Sequence, residues 1–530
     1  MHHDLVSNST VAVRSARNSS SLPARGWAAA AGATSAGLAI GLSELLAGVL
    51  PGAISLVAAI GQVVIALQPP GAKDFAVALF GINDKLALEV FVAIVAVAFG
   101  ALLGTVAIRR YVVAAVGFGA FGALGFVAAS GQPLANPAMV AAQAAISIAI
   151  GLQALSSLIG RLRAAADVGA SPASDPARRS FLLRASVVGV AAIASGLVGR
   201  SLIERSRTAP VGSVPLPPAS EVVPSLAGEM DLAATIPGLT PIVVPNDQFY
   251  RIDTTLIVPN IDVSTWSLRI HGLVERETTL TWNELLALPM FEQYVTIACV
   301  SNEVGGGLVG NAKWTGVRLR DVLDIAGVLP SATQLVGRPI DGDGFSAGMP
   351  TAWVMDAERE PMIAIQMNDE PLPRAHGYPA RLIIPGLYGY VSATKWLAEL
   401  ELTTLENFDG YWVPLGWAKE APILTQSRID TPRGSVAAGR VPIAGVAWAP
   451  DRGVSRVEVA IDGEWRDAEL STPISDTTWV QWVVRWDATP GQHEIRVRAT
   501  DGSGVVQGEL PSRPAPDGAR GWHGARVNVS

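Results

Sequence analysis

The chain has one cysteine in 530 residues. A disulfide within the chain, a cysteine-rich zinc site and haem attachment through Cys-x-x-Cys-His are all excluded by that count. Histidine is also scarce. There are six, His2, His3, His271, His376, His493 and His523, and none lies in an apolar run, so no bis-histidine haem is expected between helices. No glycine-rich phosphate loop follows a strand in the Walker or Rossmann pattern, and no Gly-x-Ser-x-Gly elbow occurs. Charged residues make up 16% of the chain, against roughly 25% in an average soluble domain. The net charge of −7, with no dense basic patch outside the arginines flanking apolar runs, gives no reason to expect nucleic acid as a partner.

Long apolar runs account for the missing charge. Residues 1–26 are polar, with Arg14, Arg17 and Arg25. From Trp27 to Ile159 the chain is mostly Ala, Gly, Val, Leu and Ile. Stretches of about 20 such residues cross a ~30 Å hydrocarbon core as helix, and the spacing predicts spans at 28–48, 86–108, 111–129 and 138–160. Residues 52–83 are ambiguous: Ile54 to Leu67 is apolar, but Pro69-Pro70 and Lys73-Asp74 follow. The positive-inside rule favours an outside or re-entrant segment there, because every arginine cluster (Arg109-Arg110; Arg161, Arg163, Arg178, Arg179) then falls on the cytoplasmic side. Glu44 and Glu89 are rare charges in this region and stand near its outer half.

Arg178-Arg179-Ser180-Phe181-Leu182-Leu183 precedes a fifth apolar run, 185–199, and then a Pro-rich stretch with Pro210, Pro215, Pro217 and Pro218. This resembles a twin-arginine export signal, a route that carries folded proteins; a plain stop-transfer flank is the alternative. Either way the C-terminal part is expected on the outer face, tethered by an uncleaved helix.

From about residue 240 charges return and strand-like alternation begins. Leu256-Ile257-Val258 and Trp266-Ser267-Leu268-Arg269-Ile270 read as strands, and Trp282-Asn283-Glu284-Leu285-Leu286 as a short helix. The mixture predicts α+β architecture. After about 420, short alternating strands recur every ten or so residues, as in Val454–Ile461 before Asp462-Gly463, which predicts an immunoglobulin-like β-sandwich with a structural or dimerisation role. The expected organisation is a polar segment (1–26), a transmembrane helical bundle (27–200), a Pro-rich linker (201–239), an α+β domain (240–415) and the sandwich (416–530).

The lone Cys299 ends the apolar run Val295-Thr296-Ile297-Ala298 and precedes Gly305-Gly306-Gly307. A strand end that presents a thiolate to a loop-lined pocket suits a soft metal, although a buried structural cysteine is the plain alternative. Three further blocks surround it. They are Lys313-Trp314-Thr315-Gly316-Val317-Arg318, then Met367-Asn368-Asp369-Glu370-Pro371, and then His376-Gly377-Tyr378-Pro379-Ala380-Arg381, which leads through Pro385-Gly386-Leu387-Tyr388-Gly389 to Lys395-Trp396. With Ala298-Cys299-Val300-Ser301-Asn302, and in this order, they resemble the sulfite-oxidase family of molybdenum enzymes over about 240–410.

The resemblance implies one molybdenum–molybdopterin per chain with Cys299 on the metal. It implies that His376 and Arg381 hold the pterin phosphate, joined by the Ala393-Thr394-Lys395 segment. It places Asn246-Asp247-Gln248-Phe249-Tyr250-Arg251 against the pterin, with Asp247, Tyr250 and Arg251 as contacts and Asp341 as a weaker candidate for a pterin amine. A structural ion-pair network is the other reading of His376 and Arg381. The sequence departs from sulfite oxidases where those enzymes carry sulfite-binding arginines: Ile252 and Val304 stand there, and Phe345 stands near the place of a pocket tyrosine. The expected activity is oxygen-atom transfer on a small molecule, by a membrane-anchored, extracytoplasmic oxidoreductase that contacts lipid and passes electrons to a separate carrier or a quinone. Rivals are a methionine-sulfoxide-type reductase of the same fold and a non-catalytic membrane binding module.

Overall fold

The computed structural model describes residues 21–68, 79–80, 83–132, 134–167, 175–208, 216–340 and 344–530. The chain divides into two compact units: residues 1–207 with 255–258, and residues 208–254 with 259–530.

The first unit is helical: α1 (Ser21–Val49), α2 (Leu56–Leu67), α3 (Asp84–Ala107), α4 (Tyr111–Ser130), α5 (Pro137–Asp167) and α6 (Asp175–Thr208). Among the described residues, five helices are long and apolar enough to cross a membrane, over Arg25–Val49, Asp84–Ala107, Tyr111–Ser130, Pro137–Ala164 and Arg179–Ser206. The ambiguous stretch forms α2, of 12 residues, capped where the Ser55 hydroxyl accepts the Ala58 N–H at 3.0 Å. At 1.5 Å per residue it is too short for a ~30 Å core. Residues 69–78 and 81–82 of that stretch lie outside the described residues.

Small side chains let the helices approach. A Cβ on Gly32 would stand 2.1 Å from the Gly100 carbonyl, and one on Gly104 would stand 2.1 Å from that of Ala28. Backbones this close gain dispersion energy along their length, the main adhesive between helices in an apolar medium. The rare charges meet each other: the Arg200 guanidinium pairs with Glu89 and lies 3.9 Å from Glu44, which also accepts the Ser55 hydroxyl at 2.7 Å. Arg178 and Arg179 fall inside the first turns of α6.

The second unit mixes sheets with short helices. Met290–Ala298 pairs antiparallel with Val309–Arg318, which pairs with Met362–Met367, which in turn carries Arg381–Ile383 on its other edge. A second sheet is built on the parallel pair Ser267–Gly272 and Leu397–Thr403. Trp282–Leu286 is the expected helix, started by a reciprocal cap between Thr281 and Glu284. Beyond residue 425 a four-stranded and a five-stranded sheet share one core, with Ile443, Val457, Trp482, Ile495 and Val527 all buried.

Two expectations change here. The segment 201–239 is more than a linker: residues to 208 continue α6, residues 209–215 lie outside the described residues, and the chain then packs onto the unit. Ser220 donates to the Met290 carbonyl, and Glu221 takes both Nη atoms of Arg318 at 2.9 and 2.8 Å. Polar and proline-rich composition does not reveal such local pairings. The C-terminal region also supports the cysteine strand directly. Thr296 N–H donates to Thr477 O, the Thr477 hydroxyl to Tyr294 O at 3.0 Å, and Trp479 N–H to the Thr296 hydroxyl at 2.8 Å.

Candidate cofactor site

The strand Met290–Ala298 is buried on both faces for most of its length, because sheet neighbours and the C-terminal region cover it. It ends at Cys299, which is half-buried. The loop that follows is closed at its base, where Cys299 N–H donates to Leu308 O at 2.9 Å and Asn302 N–H to Cys299 O at 3.0 Å. The buried Asn302 side chain then accepts the Leu308 N–H at 2.8 Å and fixes the loop from inside. Gly305 has φ +76°, and a side chain there would meet His523 at 2.3 Å, so both backbone and space require glycine.

The Cys299 sulfur lies 2.9 Å from the Ser301 hydroxyl. Tyr250 and Tyr388 stand close enough to feel its charge: burial pushes both phenols up, and Cys299 adds to the rise, taking Tyr388 to about 12. Both therefore remain neutral donors at physiological pH. Among the described residues no three His, Cys, Asp or Glu side chains converge as metal ligands. A metal on the Cys299 thiolate must bring other ligands with it.

A cationic pocket forms around residues 374–381. His376 is 6% exposed, and its Nε2 lies 3.0 Å from Asn246 O, an acceptor only, so the neutral ring carries its proton on Nε2. Burial first, and then the positive field of Arg381 and Arg251, pulls its pKa down to about 4. Arg381 is 5% exposed and sits 5.0 Å over the Trp314 ring. Its Nη1 donates to His376 O at 2.9 Å, while its Nε has no partner among the described residues. Burial alone draws its pKa down to about 10, so it stays charged at neutral pH. A buried guanidinium without a counter-anion is costly, and a phosphate supplies both the charge and the acceptors that are missing. The donor set fits the phosphate of a pterin cofactor.

The other expected contacts are unevenly placed. Lys395 donates to Ala375 O at 3.1 Å, which brings it beside His376. Arg251 is close enough to depress the same histidine. Tyr250 stacks on Phe249 at 5.2 Å, and Phe249 meets His376 edge-on at 5.7 Å. Thr394 is fully buried with its hydroxyl donating to Gly337 O at 3.3 Å, and the Ala393 N–H donates to Gly389 O, so these groups already have protein partners. Asp247 is exposed and makes no hydrogen bond or ion pair among the described residues. Asp341 lies outside the described residues. Of the departures, Ile252 is 43% exposed, and Phe345 packs against Tyr411 at 6.1 Å.

Sequence reasoning missed Asp253, Tyr388 and the approach of the C-terminal region. A Cβ on Gly518 would meet the Tyr388 hydroxyl at 2.5 Å, His523 borders Gly305, and Arg428 donates to Gly306 O at 3.0 Å. Tyr388 was within a recognised block, but its proximity to Cys299 arises only from the turn after Ile383.

The family model for the oxidoreductase molybdopterin binding domain matches residues 255–412. Mitochondrial sulfite oxidase of Homo sapiens is 31% identical over 344 residues, covering 54% of this chain and 62% of that protein. Nitrate reductase [NADH] 1 of Oryza sativa subsp. japonica is 30% identical over 319 residues, covering 48% of this chain and 34% of that protein. The chain thus spans less than two thirds of the length of these relatives. Among solved structures, the sulfane dehydrogenase SoxCD of Paracoccus pantotrophus aligns with a TM-score of 0.47 at 23% identity, covering 54% of this chain and 83% of that one. Residues 255–412 thus carry an oxidoreductase molybdopterin binding domain, and the central part of the chain is similar to sulfite oxidases.

Proposed function

We propose that this protein is a membrane-anchored, multi-pass molybdenum oxidoreductase that works on the outer face of a cell membrane, with Cys299 as the protein ligand to the metal. The bound molybdenum–pterin group would supply two-electron, oxygen-atom-transfer chemistry. Arg381, Arg251 and Lys395 bind its phosphate, Tyr250 and Tyr388 offer neutral hydroxyls beside Cys299, and Asn302 keeps the cysteine loop in one conformation. Electrons leave to a separate carrier or a membrane quinone. The C-terminal region, of immunoglobulin-like strand pattern, walls the site and is the candidate surface for a homodimer.

The observation that carries this reading is the buried Arg381, which among the described residues has no carboxylate partner, in the domain where a buried strand ends at the lone cysteine. The test is metal and pterin analysis of the full-length protein in detergent, made in a host that synthesises the cofactor, beside Cys299→Ser. Near one molybdenum and one pterin per chain, with a metal spectrum altered in the variant, is the expected result. Well-folded protein with neither overturns it.

One observation favours a substrate other than sulfite. Ile252 and Val304 occupy the places where sulfite oxidases carry anion-binding arginines, and burying an anion against apolar side chains is costly. A methionine-sulfoxide-type reductase is the second reading. Turnover with sulfite and an electron acceptor, against turnover with a sulfoxide and an electron donor, separates the two.

A further inference from the structure

A buried carboxylate lies beside the cationic pocket. The Asp253 side chain is 1% exposed, and its Oδ2 accepts the Arg251 Nε at 2.8 Å, while Oδ1 pairs with the Lys395 ammonium. These cations come from distant parts of the chain and are themselves largely covered, at 31% and 12% exposure. Lys395 is held a second time by Ala375 O. Its backbone and Arg381 crowd Gly377 so closely that a Cβ there would stand 3.1 Å from each.

Arg251, Arg381 and Lys395 lie near His376, and Asp253 pairs with two of them. Such a group of cations suits a phosphate monoester, of charge about −1.5 to −2 at neutral pH. Without Asp253, Arg251 and Lys395 would lose the carboxylate that they share. A receptor whose charged groups are already held in place avoids the ordering cost on binding.

We propose that Asp253 is a positioning residue for the cofactor phosphate: it holds Arg251 and Lys395 in one cluster beside His376. The inference rests on the molybdopterin reading above. A purely structural ion pair would instead stabilise loaded and empty protein alike.

The experiment compares wild type, Asp253→Asn and Asp253→Glu as full-length protein in detergent, each made in cofactor-competent and cofactor-deficient hosts. The readouts are the release rate of pterin, followed by the fluorescence of the released, oxidised pterin, and the melting temperatures of loaded and empty protein. Asp253→Asn is expected to release pterin about tenfold faster and to narrow the gap between the two melting temperatures, with Asp253→Glu recovering most of both. Equal lowering of both temperatures with unchanged release overturns the proposal. Should Asp253→Asn not fold, Lys395→Met is compared with the Asp253→Asn/Lys395→Met pair. Faster release from the pair supports the role, and equal release overturns it. Wild type that carries no pterin from the competent host refutes the molybdopterin reading itself, and this proposal with it.

Discussion

Arg381 donates to the carbonyl of His376 at 2.9 Å while its own Nε meets no acceptor among the described residues. Among those residues the guanidinium is oriented by a carbonyl but paired with no carboxylate. A buried charge without a partner is costly, so an apolar side chain of similar length in its place removes a penalty. Arg381→Met is thus expected to leave the melting temperature of cofactor-free protein unchanged or raised, and to abolish pterin retention. Thermal melts and pterin assay on the same preparations check both halves.

His376 gives the empty protein a defined acid sensitivity. Its pKa is depressed to about 4 from an ordinary 6.5, so the unfolded state takes up the proton first as pH falls. The stability contributed by the neutral ring is complete above about pH 6.5 and is lost progressively down to about pH 4, by about 3 kcal/mol in all. Denaturant midpoints of cofactor-free protein should fall across that window, and His376→Gln should flatten the slope there.

Asn302 governs the loop that presents the thiolate. Removing its side chain takes this partner from the half-buried Leu308 N–H, at about 0.5–1.5 kcal/mol. Asn302→Ala should broaden or shift the spectrum of the metal site while pterin is retained, and Asn302→Asp, which keeps an acceptor, should restore it.

Trp479 is fully buried, and its indole donates to Ile242 O at 2.8 Å. Trp479→Ala should cost about 3–5 kcal/mol and loosen the strand beneath Cys299. Urea unfolding measures the first effect, and accessibility of Cys299 to a thiol reagent in cofactor-free protein measures the second.

In the helical unit, Gly104→Leu should break the α1–α3 contact, because a Cβ already falls 2.1 Å from Ala28 O. Lower thermal stability in detergent is the expected outcome, and Gly119→Leu, with open space around its Cβ, is the control.

The parts legible in the sequence are those written in short-range pattern. Runs of apolar residues mark the helices, the Val295–Ala298 run marks the strand that ends at Cys299, and the block 376–381 holds the buried His376 and Arg381. What stayed hidden depends on long-range pairing. Trp479 reaches partners 183 and 237 residues away, and no periodicity in either segment encodes that. Asp253 was passed over for a related reason. It looks like a surface residue beside Thr254 and Thr255 until Lys395 arrives from another part of the fold. The role of Asp247 rests on its position in a block alone, and its carboxylate is exposed.

The wall contributed by Gly518 and His523 has a consequence for how the protein is made. These residues are translated more than two hundred positions after Cys299, yet they border the loop and tyrosine that surround it. During synthesis the thiolate is therefore ready long before its enclosure is. Until residues 518–523 have folded back, Gly305 and Tyr388 lack that border. The surroundings of Cys299 are therefore completed by residues that are made last.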